Sequence, residues 1–252
     1  MTCDPDQLKV NPFAFKTGAV QFTVFNPTSS EVLVTIERES WKDTAATAAL
    51  VTSLQAFRNL FPQEAVAPGE EIGISSLAVL FTDLKDSTSL YQRVGDPRAF
   101  GFVQNHFRYL VESIARHQGG IVKTIGDAIM ATFASSPHGL RAALDMQKGW
   151  SAFSQEYLKE GSVQLKIGLH EGTAIVINHN GRMDYFGATV NMAARIESQS
   201  QGGDVVISQA VFNHPEVQTL LHSMALTGRP FTAELKGIQE IQTLYQIPVI
   251  KI

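Results

Sequence analysis

The chain has 252 residues, 44% of them apolar and 17% charged, which is typical of a globular protein with a buried core. A formal net charge of −4, without a cluster of Lys and Arg, argues against a nucleic acid as partner. The single cysteine, Cys3, excludes an internal disulfide framework and a thiolate metal site within one chain. No apolar run approaches the roughly 18 residues of a membrane span, and no signal-peptide pattern opens the sequence. We therefore expect a cytoplasmic protein with no membrane span.

The first quarter of the sequence predicts a β-hairpin and a helix. Apolar residues alternate across Val20–Glu37 around a turn-rich centre, which indicates a hairpin. A helix that Asp43 or Thr44 can cap follows, and Pro62 ends it. Its apolar residues recur at helical spacing, at Leu50, Leu54, Phe57 and Phe61.

The larger second part alternates strands with helices. It begins with a strand at Leu77–Phe81, a polar turn at Thr82–Ser87, a short helix, and a long helix from Asp96-Pro97 with a stripe of Phe100, Val103, Phe107, Leu110 and Ile114. Strands follow at Ile121–Ile125 and Ala128–Phe133, then a helix from Ser136-Pro137, strands at Leu165–Leu169 and Thr173–Ile177, a helix at Val190–Ser198, and strands at Val205–Ile207 and Ile241–Ile247.

The order strand, helix, strand, strand, helix, strand predicts an α+β fold of the ferredoxin-like type, βαββαβ. The stretch after Pro62 contains Pro and Gly and has little periodicity, so we place a domain boundary there. We expect a small hairpin-and-helix extension over residues 1–75 and a main domain over residues 76–252.

Two aspartates follow predicted strands. Asp83 ends the first strand, just before a helix that starts near Ser87 and offers free backbone N–H groups, a turn that can hold a metal ion and phosphates. Asp127 occupies a Gly126-Asp127 hairpin tip, four residues after Lys123. Each aspartate alone is better explained as a turn or capping residue.

Together the two aspartates indicate a metal site. The first strand and the central hairpin are neighbours in a ferredoxin-like sheet, so Asp83 and Asp127 can converge. Two ionised carboxylates repel each other, and two metal ions about 3.5 to 4 Å apart would relieve the repulsion and clamp a phosphoryl group. Oxygen ligands favour Mg²⁺ or Mn²⁺ over zinc.

Asn191 and Arg195 are spaced i, i+4 on a predicted helix, so they project from one face about 6 Å apart along the axis. An amide and a guanidinium at this spacing suit a ribose oxygen and a phosphoryl group. For an arbitrary Asn and Arg pair, a solvated helix face is the better explanation.

Several ordered motifs between about Leu77 and Ile247 resemble the catalytic domain of class III nucleotidyl cyclases. They are Phe81-Thr82-Asp83-Leu84, Gly126-Asp127, Ile167-Gly168-Leu169-His170-Glu171-Gly172, Asp184-Tyr185-Phe186-Gly187, Val190-Asn191 with Ala194-Arg195, and Leu235-Lys236-Gly237. The resemblance implies a bacterial adenylyl cyclase that converts ATP to 3′,5′-cyclic AMP and pyrophosphate with two Mg²⁺ or Mn²⁺ ions per site.

The same resemblance implies a role for each matched residue. Asp83 and Asp127 would bind the metals, and Asn191 and Arg195 would stabilise the transition state. Substrate contacts would come from Lys123, Asp184, Lys236, Leu84, Ser87 and Thr88. The strand-and-turn motif at Ile167–Gly172 would be structural.

Lys123 and Asp184 fall at the positions with which the family recognises the base. Adenine presents an acceptor at N1 and a donor at N6, which an ammonium and a carboxylate satisfy. Guanine presents N1–H and O6, so each side chain would meet a like group. Guanylyl cyclases of the family tend to carry Glu and a small residue there, so the resemblance implies ATP as substrate.

In the family, the metal carboxylates and the base-recognition and transition-state residues meet across a dimer interface. A chain that carries both sets is therefore expected to form a head-to-tail homodimer with two equivalent shared sites, and its monomer to be inactive. The segment from Val20 to about Ser75 also resembles the end of an accessory module that precedes some bacterial cyclase domains, and either regulation or packing would explain it.

Two alternatives stay open. A catalytically dead nucleotide-binding module would keep the same fold, although the complete set of matched residues argues against it. A diguanylate cyclase would need a Gly-Gly-acid-acid-Phe hairpin, which the sequence lacks. Lys85 occupies the position at which we expect the family's glycine after the metal motif, and we expect the histidines at 106, 117, 138, 170 and 179 to be core or surface residues.

Overall fold

A computed structural model describes residues 3–4, 7–8, 45–62, 66–67, 69–158 and 163–249. Contacts divide the chain into two compact units, Met1–Ala45 and Ala46–Ile252. The described part of the first unit is an antiparallel pair of short strands, β1 (Cys3–Asp4) and β2 (Gln7–Leu8). The hairpin predicted at Val20–Glu37 and the helix caps predicted at Asp43 and Thr44 lie outside the described residues.

The second unit is a mixed sheet with helices. The helices are α1 (Ala48–Ser53), α2 (Gln55–Leu60), α3 (Ser87–Val94), α4 (Asp96–Arg116), α5 (Ser136–Tyr157), α6 (Ala188–Glu197), α7 (Gln209–Phe212) and α8 (Pro215–Ser223). The strands are β3 (Glu71–Lys85), β4 (Gly120–Ile125), β5 (Ala128–Phe133), β6 (Gln164–His179), β7 (Arg182–Phe186), β8 (Asp204–Ser208), β9 (Arg229–Ala233) and β10 (Gln242–Pro248). Within the described part of the chain, no helix is long and apolar enough to cross a bilayer.

The sheet has the order β4-β5-β3-β6-β8-β10-β9, and β7 pairs with β6. Its first four strands pair antiparallel, and α4 and α5 lie in the two crossover connections. This is the ferredoxin-like arrangement, so the predicted fold class is confirmed. The sheet extends beyond that core through β8, which runs parallel to β6, and through β10 and β9.

Two strands are longer than predicted because each pairs on both sides. The turn predicted at Thr82–Ser87 is wrong, since β3 stays paired with β6 as far as Lys85 opposite Gln164. The two strands predicted around residues 165–177 are one strand, β6, which pairs with β3 from Gln164 to Ile177 and with β7 from Ile175 to His179. The sequence patterns also missed β7, β9, α7 and α8.

The helix predicted before Pro62 is two short helices that break at Leu54, whose backbone is extended. Thr47 caps α1, and its hydroxyl accepts a hydrogen bond from the N–H of Leu50 at 3.2 Å. The most buried side chains here are polar, at Thr52, Ser53 and Arg58, whereas Phe61 of the predicted apolar set is 45% exposed. Contacts group both helices with the main domain, while a boundary at residue 75 stays a prediction.

The long helix α4 begins after Gly95 and has Pro97 in its first turn. Its buried face differs from the predicted stripe, because Phe100 is 66% exposed while Phe102 and His106 are buried. Leu110 and Ile114 are buried as the stripe predicted. The helix therefore places a histidine in a core position.

Two of the apolar cores among the described residues pack on opposite faces of β3. One packs α4 and α5 against Leu80, Leu84 and other residues on one face of β3. The other packs α1, α2 and α6 against Val79 and Phe81, which lie on the opposite face. By strand alternation, Asp83 shares the face of Phe81 and lies on the side of α6.

Gly168 in β6 allows α6 to pack directly on the sheet. A Cβ atom at this position would overlap the backbone N and Cα of Glu197, at the end of α6. This close approach gives a physical reason for the glycine in the strand-and-turn motif.

We expect Gly168→Ala to lower the free energy of unfolding by about 1–3 kcal/mol, because α6 must move away from β6 to make room for the methyl group. Gly101→Ala is the matched control: Gly101 is an exposed α4 residue with nothing within 4 Å of a built Cβ. The free energy of unfolding of the Gly101→Ala variant should be about 0.5–1 kcal/mol higher than that of the wild type. Urea denaturation of both variants measures the difference, and equal effects would contradict the packing argument.

The buried His170 predicts that the stability of the protein depends on pH. Burial lowers the pKa of this β6 histidine to about 4 from its ordinary 6.5, with an opposing contribution from Glu171. The unfolded chain therefore binds more protons between these two pH values, and stability falls as the pH drops through this window. His170→Gln should reduce the loss between pH 7 and 4.5 by roughly 2 to 3 kcal/mol in urea denaturation. Substitution of the exposed His179 by Gln is the control, and an unchanged loss in His170→Gln would refute the assignment.

Candidate active site

The two predicted metal residues lie next to each other at one end of the sheet. Asp83 is in β3 and Asp127 is in the turn between β4 and β5. The pairing of β3 with β5 ends at Thr82 opposite Ile129, and both aspartates lie just beyond this last pair, at the same end of the sheet. Burial raises the pKa of Asp83, and the negative charge of Asp127 raises it further. The two carboxylates are therefore close enough to repel each other.

Asp127 has a carboxylate oxygen, Oδ2, that is buried and accepts no hydrogen bond from the residues that the structure describes. A buried carboxylate oxygen without a partner is costly, and a cation is the partner that would satisfy it. The described residues include no group of three or more His, Cys, Asp or Glu that could hold a metal ion, so the protein would supply the two aspartates and a ligand would supply the other donors. That donor set fits Mg²⁺, which binds one or two carboxylates together with phosphate oxygens.

Lys166 and Glu197 lie beside the aspartates, and the sequence patterns did not single them out. Lys166 is paired with Asp83 in the register of β3 and β6, and its Nζ donates to Glu197 Oε1 at 2.7 Å. Burial raises the pKa of Glu197; Lys166 opposes this, and Asp83 and Asp127 add to it. The only available sequence signal was a lysine in an otherwise apolar strand.

His106 supports the Asp127 turn from behind. Its Nε2 lies 3.1 Å from the main-chain oxygen of Asp127, which can only accept, so Nε2 carries the proton. Burial lowers the pKa of His106 to about 4, so the ring is neutral at pH 7. The spacing Phe102, His106 and Leu110 on the buried face of α4 is the sequence signal that the predicted stripe missed.

The turn after Asp83 corrects one sequence expectation. Lys85 is still in β3, and its Nζ donates to the Gln201 carbonyl at 3.0 Å. The residue with the left-handed backbone is Asp86, whose φ is 59°. The backbone position that favours glycine is therefore residue 86, whereas the sequence motif predicted residue 85.

The predicted phosphate contacts flank this turn. Ser87 and Thr88 are the first two residues of α3, and Leu84 is buried in the first core with 2% exposure. The backbone N–H groups in the first turn of a helix have no partner within the helix and face an incoming ligand. The geometry is thus compatible with phosphate binding by the main chain.

Lys123 and Asp184, which we call the base-recognition pair, are in direct contact. Lys123 Nζ donates to Asp184 Oδ2 at 2.6 Å, although β4 and β7 are not adjacent in the sheet. Asp184 Oδ1 accepts from the N–H of Tyr185 at 2.8 Å. The Lys123 side chain is 40% exposed and that of Asp184 is 16% exposed, so a ligand has access to the ammonium.

Asn191 and Arg195 lie on α6 with exposed side chains. Arg195 Nε donates to the main-chain oxygen of Lys236 at 3.3 Å. This contact places Lys236, another residue predicted to bind the substrate, next to α6. Lys236 is exposed and precedes Gly237, whose φ is +82°. A cationic surface therefore forms next to the amide of Asn191.

The charged and amide side chains predicted for the site lie in three groups. They are the two aspartates, the base-recognition pair, and Asn191 and Arg195 of α6 with Lys236. Among the residues that the structure describes, no hydrogen bond or ion pair joins one group to another. The histidines singled out from the sequence have structural partners or are exposed, as expected.

Comparisons with known proteins bear on the family. The family described as adenylate and guanylate cyclase catalytic domain matches residues 71–247. An adenylate cyclase of Mycosarcoma maydis is 33% identical over 169 residues, which are 59% of this chain and 6% of that protein. An adenylate cyclase of Anabaena cylindrica is 27% identical over 225 residues, which are 79% of this chain and 44% of that protein. The chain therefore spans less than half the length of either relative.

Solved structures support the fold. The adenylyl cyclase CyaB from P. aeruginosa has a TM-score of 0.62 at 22% identity, covering 71% of this chain and 95% of that one. The guanylate cyclase domain of RhGC from Catenaria anguillulae, in complex with GTP, has a TM-score of 0.60 at 22% identity, covering 70% and 97%. Since the family match includes every predicted site residue, the class III resemblance is confirmed and the chain belongs to the adenylate and guanylate cyclase catalytic domain family.

Proposed function

We propose that this chain is an adenylyl cyclase that converts ATP to 3′,5′-cyclic AMP and pyrophosphate in the cytoplasm. The observation that carries the proposal is the contact between Lys123 and Asp184. An ammonium beside a carboxylate offers a donor to adenine N1 and an acceptor to the N6 amino group. Guanine would present a donor to the ammonium and an acceptor to the carboxylate, which would leave these polar groups unpaired.

The aspartates would hold two Mg²⁺ or Mn²⁺ ions. The repulsion between Asp83 and Asp127, together with the unpartnered oxygen of Asp127, supports this assignment. Divalent metals, when bound, polarise phosphoryl oxygens and favour loss of a hydroxyl proton. The role of the two carboxylates is to fix both ions against the triphosphate.

The remaining predicted residues would position the nucleotide. The α3 amides at Ser87 and Thr88 would hold phosphate oxygens, the main-chain carbonyl of Leu84 would be an extra metal ligand, and Lys236 would contact the triphosphate. Asn191 would orient the ribose, and Arg195 would stabilise the charge that grows on the α-phosphoryl group. The ribose 3′ oxygen attacks the α-phosphorus, the bond to the bridging oxygen breaks, pyrophosphate leaves, and the proton goes to water or substrate.

We propose that each site is shared between two copies of the chain. Among the described residues no hydrogen bond or ion pair joins the three groups, and Asn191 and Arg195 are exposed on α6. A head-to-tail homodimer would bring the aspartates of one copy to the α6 face of the other.

A guanylyl cyclase is the second candidate, since guanylate cyclases are among the proteins this chain is similar to. A catalytically dead module is the third. Incubation of the purified chain with ATP or GTP, each with Mn²⁺ or Mg²⁺, and mass analysis of the products separates all three. Formation of cyclic AMP from ATP supports the proposal, formation of cyclic GMP from GTP alone supports the second candidate, and intact nucleotides support the third.

The shared site predicts complementation. Asp83→Ala and Asn191→Ala should each be inactive, and an equal mixture should recover about a quarter of wild-type activity, since half of the dimers carry one intact site of two. A mixture of Asp83→Ala with Asp127→Ala is the control, and it should stay inactive because both changes fall in the same half-site. Cyclic AMP formation measures the recovery, and no recovery in the first mixture would refute the shared site.

The base-recognition pair predicts a loss of selectivity. Asp184→Ala should lower kcat/KM for ATP roughly tenfold to a hundredfold, because a buried hydrogen-bond partner of the substrate is lost, and should change kcat/KM for GTP much less. Asp145→Ala serves as the control, because Asp145 forms a comparable ion pair with Arg116 at 3.2 Å in another part of the domain. Equal effects of Asp184→Ala on both nucleotides would argue against base recognition by this residue.

A further inference from the structure

Helix α2 binds the strand that carries Lys123. The N–H of Ile121 donates to Gln55 Oε1 at 2.7 Å, and Arg58 Nε donates to the Ile121 carbonyl at 3.0 Å. Within the described part of the chain, strand β4 is at the edge of the sheet, and these two side chains bond to main-chain groups of that edge strand. We refer to Gln55 and Arg58 as the α2 clamp.

The same arginine binds the strand that carries Asp184. Arg58 Nη2 donates to the Met183 carbonyl at 2.6 Å, and the guanidinium lies over the Tyr185 ring at 5.5 Å from its centroid. These two residues flank Asp184 on both sides. One guanidinium therefore bridges β4 and β7, the two strands whose side chains form the base-recognition pair.

A β-bulge makes the position of Lys123 depend on this bridge. The register between β4 and β5 shifts between Ile121 and Lys123, so Val122 has no partner of its own. Bulges change the direction of the side chains that follow them. The α2 clamp holds the first residue of the bulge, two positions before Lys123.

The packing leaves little freedom at the clamp. Arg58 is 8% exposed, and its Nη1 also donates to the Thr52 carbonyl at 3.2 Å. A Cβ at Gly120 would overlap the Ser53 carbonyl and lie 3.0 Å from Arg58 Cδ, so the glycine permits this close approach. Burial lowers the pKa of Arg58, and the nearby Tyr185 and Asp184 oppose that effect.

We propose that Gln55 and Arg58 are positioning residues for nucleobase selection, which fix Lys123 and Asp184 relative to each other through β4 and β7. The inference rests on the proposed function of that pair. Only a planar fork with several N–H groups reaches three carbonyls in different directions, so lysine cannot replace Arg58. A displacement of about 1 Å is enough to weaken a substrate-positioning contact strongly.

The test compares selectivity, as the ratio of kcat/KM for ATP to that for GTP, in the full-length chain. Arg58→Lys should lower this ratio about tenfold, and Gln55→Leu should lower it severalfold. Asp184→Ala is the positive comparator, since it removes one member of the pair. Thermal unfolding of each variant shows whether it is folded, and Gln55→Leu keeps the test decisive if Arg58→Lys does not fold.

Gln147→Leu is the matched control for a merely structural effect. Gln147 is fully buried, and its Nε2 donates to the carbonyls of Leu165 and Asp204 at 2.7 Å each, so it also bridges two strands. Its leucine variant should lower the unfolding temperature and leave the selectivity ratio unchanged. The inference is overturned if the selectivity ratio falls equally in this control. It is also overturned if the ratio stays unchanged in folded clamp variants while Asp184→Ala lowers it.

Failure of the proposed function would be distinguishable. A wild-type chain that forms no cyclic nucleotide refutes the cyclase proposal, and the ratio of dissociation constants for ATP and GTP, measured by calorimetry with Mn²⁺, then becomes the readout. The clamp variants are expected to bring that ratio closer to one. An unchanged binding ratio in folded clamp variants refutes the positioning role by itself.

Discussion

The antiparallel pairing of β3 with a strand on each side is the interaction on which the rest of the domain depends. Leu77, Val79 and Leu80 are completely buried, because helices cover both faces of the sheet at this strand. The pairing with β6 continues to the end of β3 and places Asp83 beside Lys166, whereas the pairing with β5 ends at Thr82 opposite Ile129, close to Asp127. A rigid central strand therefore holds a charged group at the point where apolar packing ends.

The charges around Asp83 are not balanced by the described contacts. Burial and Asp127 raise the pKa of Asp83, and burial and both aspartates raise the pKa of Glu197. Lys166 donates a hydrogen bond to Glu197 and lowers the pKa of Asp83, but by less than Asp127 raises it, so repulsion between the aspartates remains. Unlike a structural ion pair, this arrangement would be stabilised by an added cation, and on this ground we propose that the aspartates form a ligand site in addition to their place in the turns.

The parts of the fold and site that could be predicted from sequence are those that local rules determine. The Gly126-Asp127 turn, the i, i+4 pair on α6 and the short strands of the ferredoxin-like core follow from turn chemistry and periodicity. The end of β3 could not be predicted, because it depends on pairing with Gln164, 79 positions away in sequence. The same applies to Lys166, His106 and Arg58, whose meaning comes from partners that only the fold brings near.

The α2 clamp shows why a family match alone is incomplete for this chain. The match begins at residue 71, whereas Gln55 and Arg58 precede it. Both strands that the clamp holds lie inside the matched region, and β4 is an edge strand among the strands that the structure describes. An edge strand with a bulge needs an external support to keep one orientation. Because α2 supplies that support through polar bonds to the main chain, nucleobase selection in this chain should depend on residues outside the catalytic domain as the family defines it.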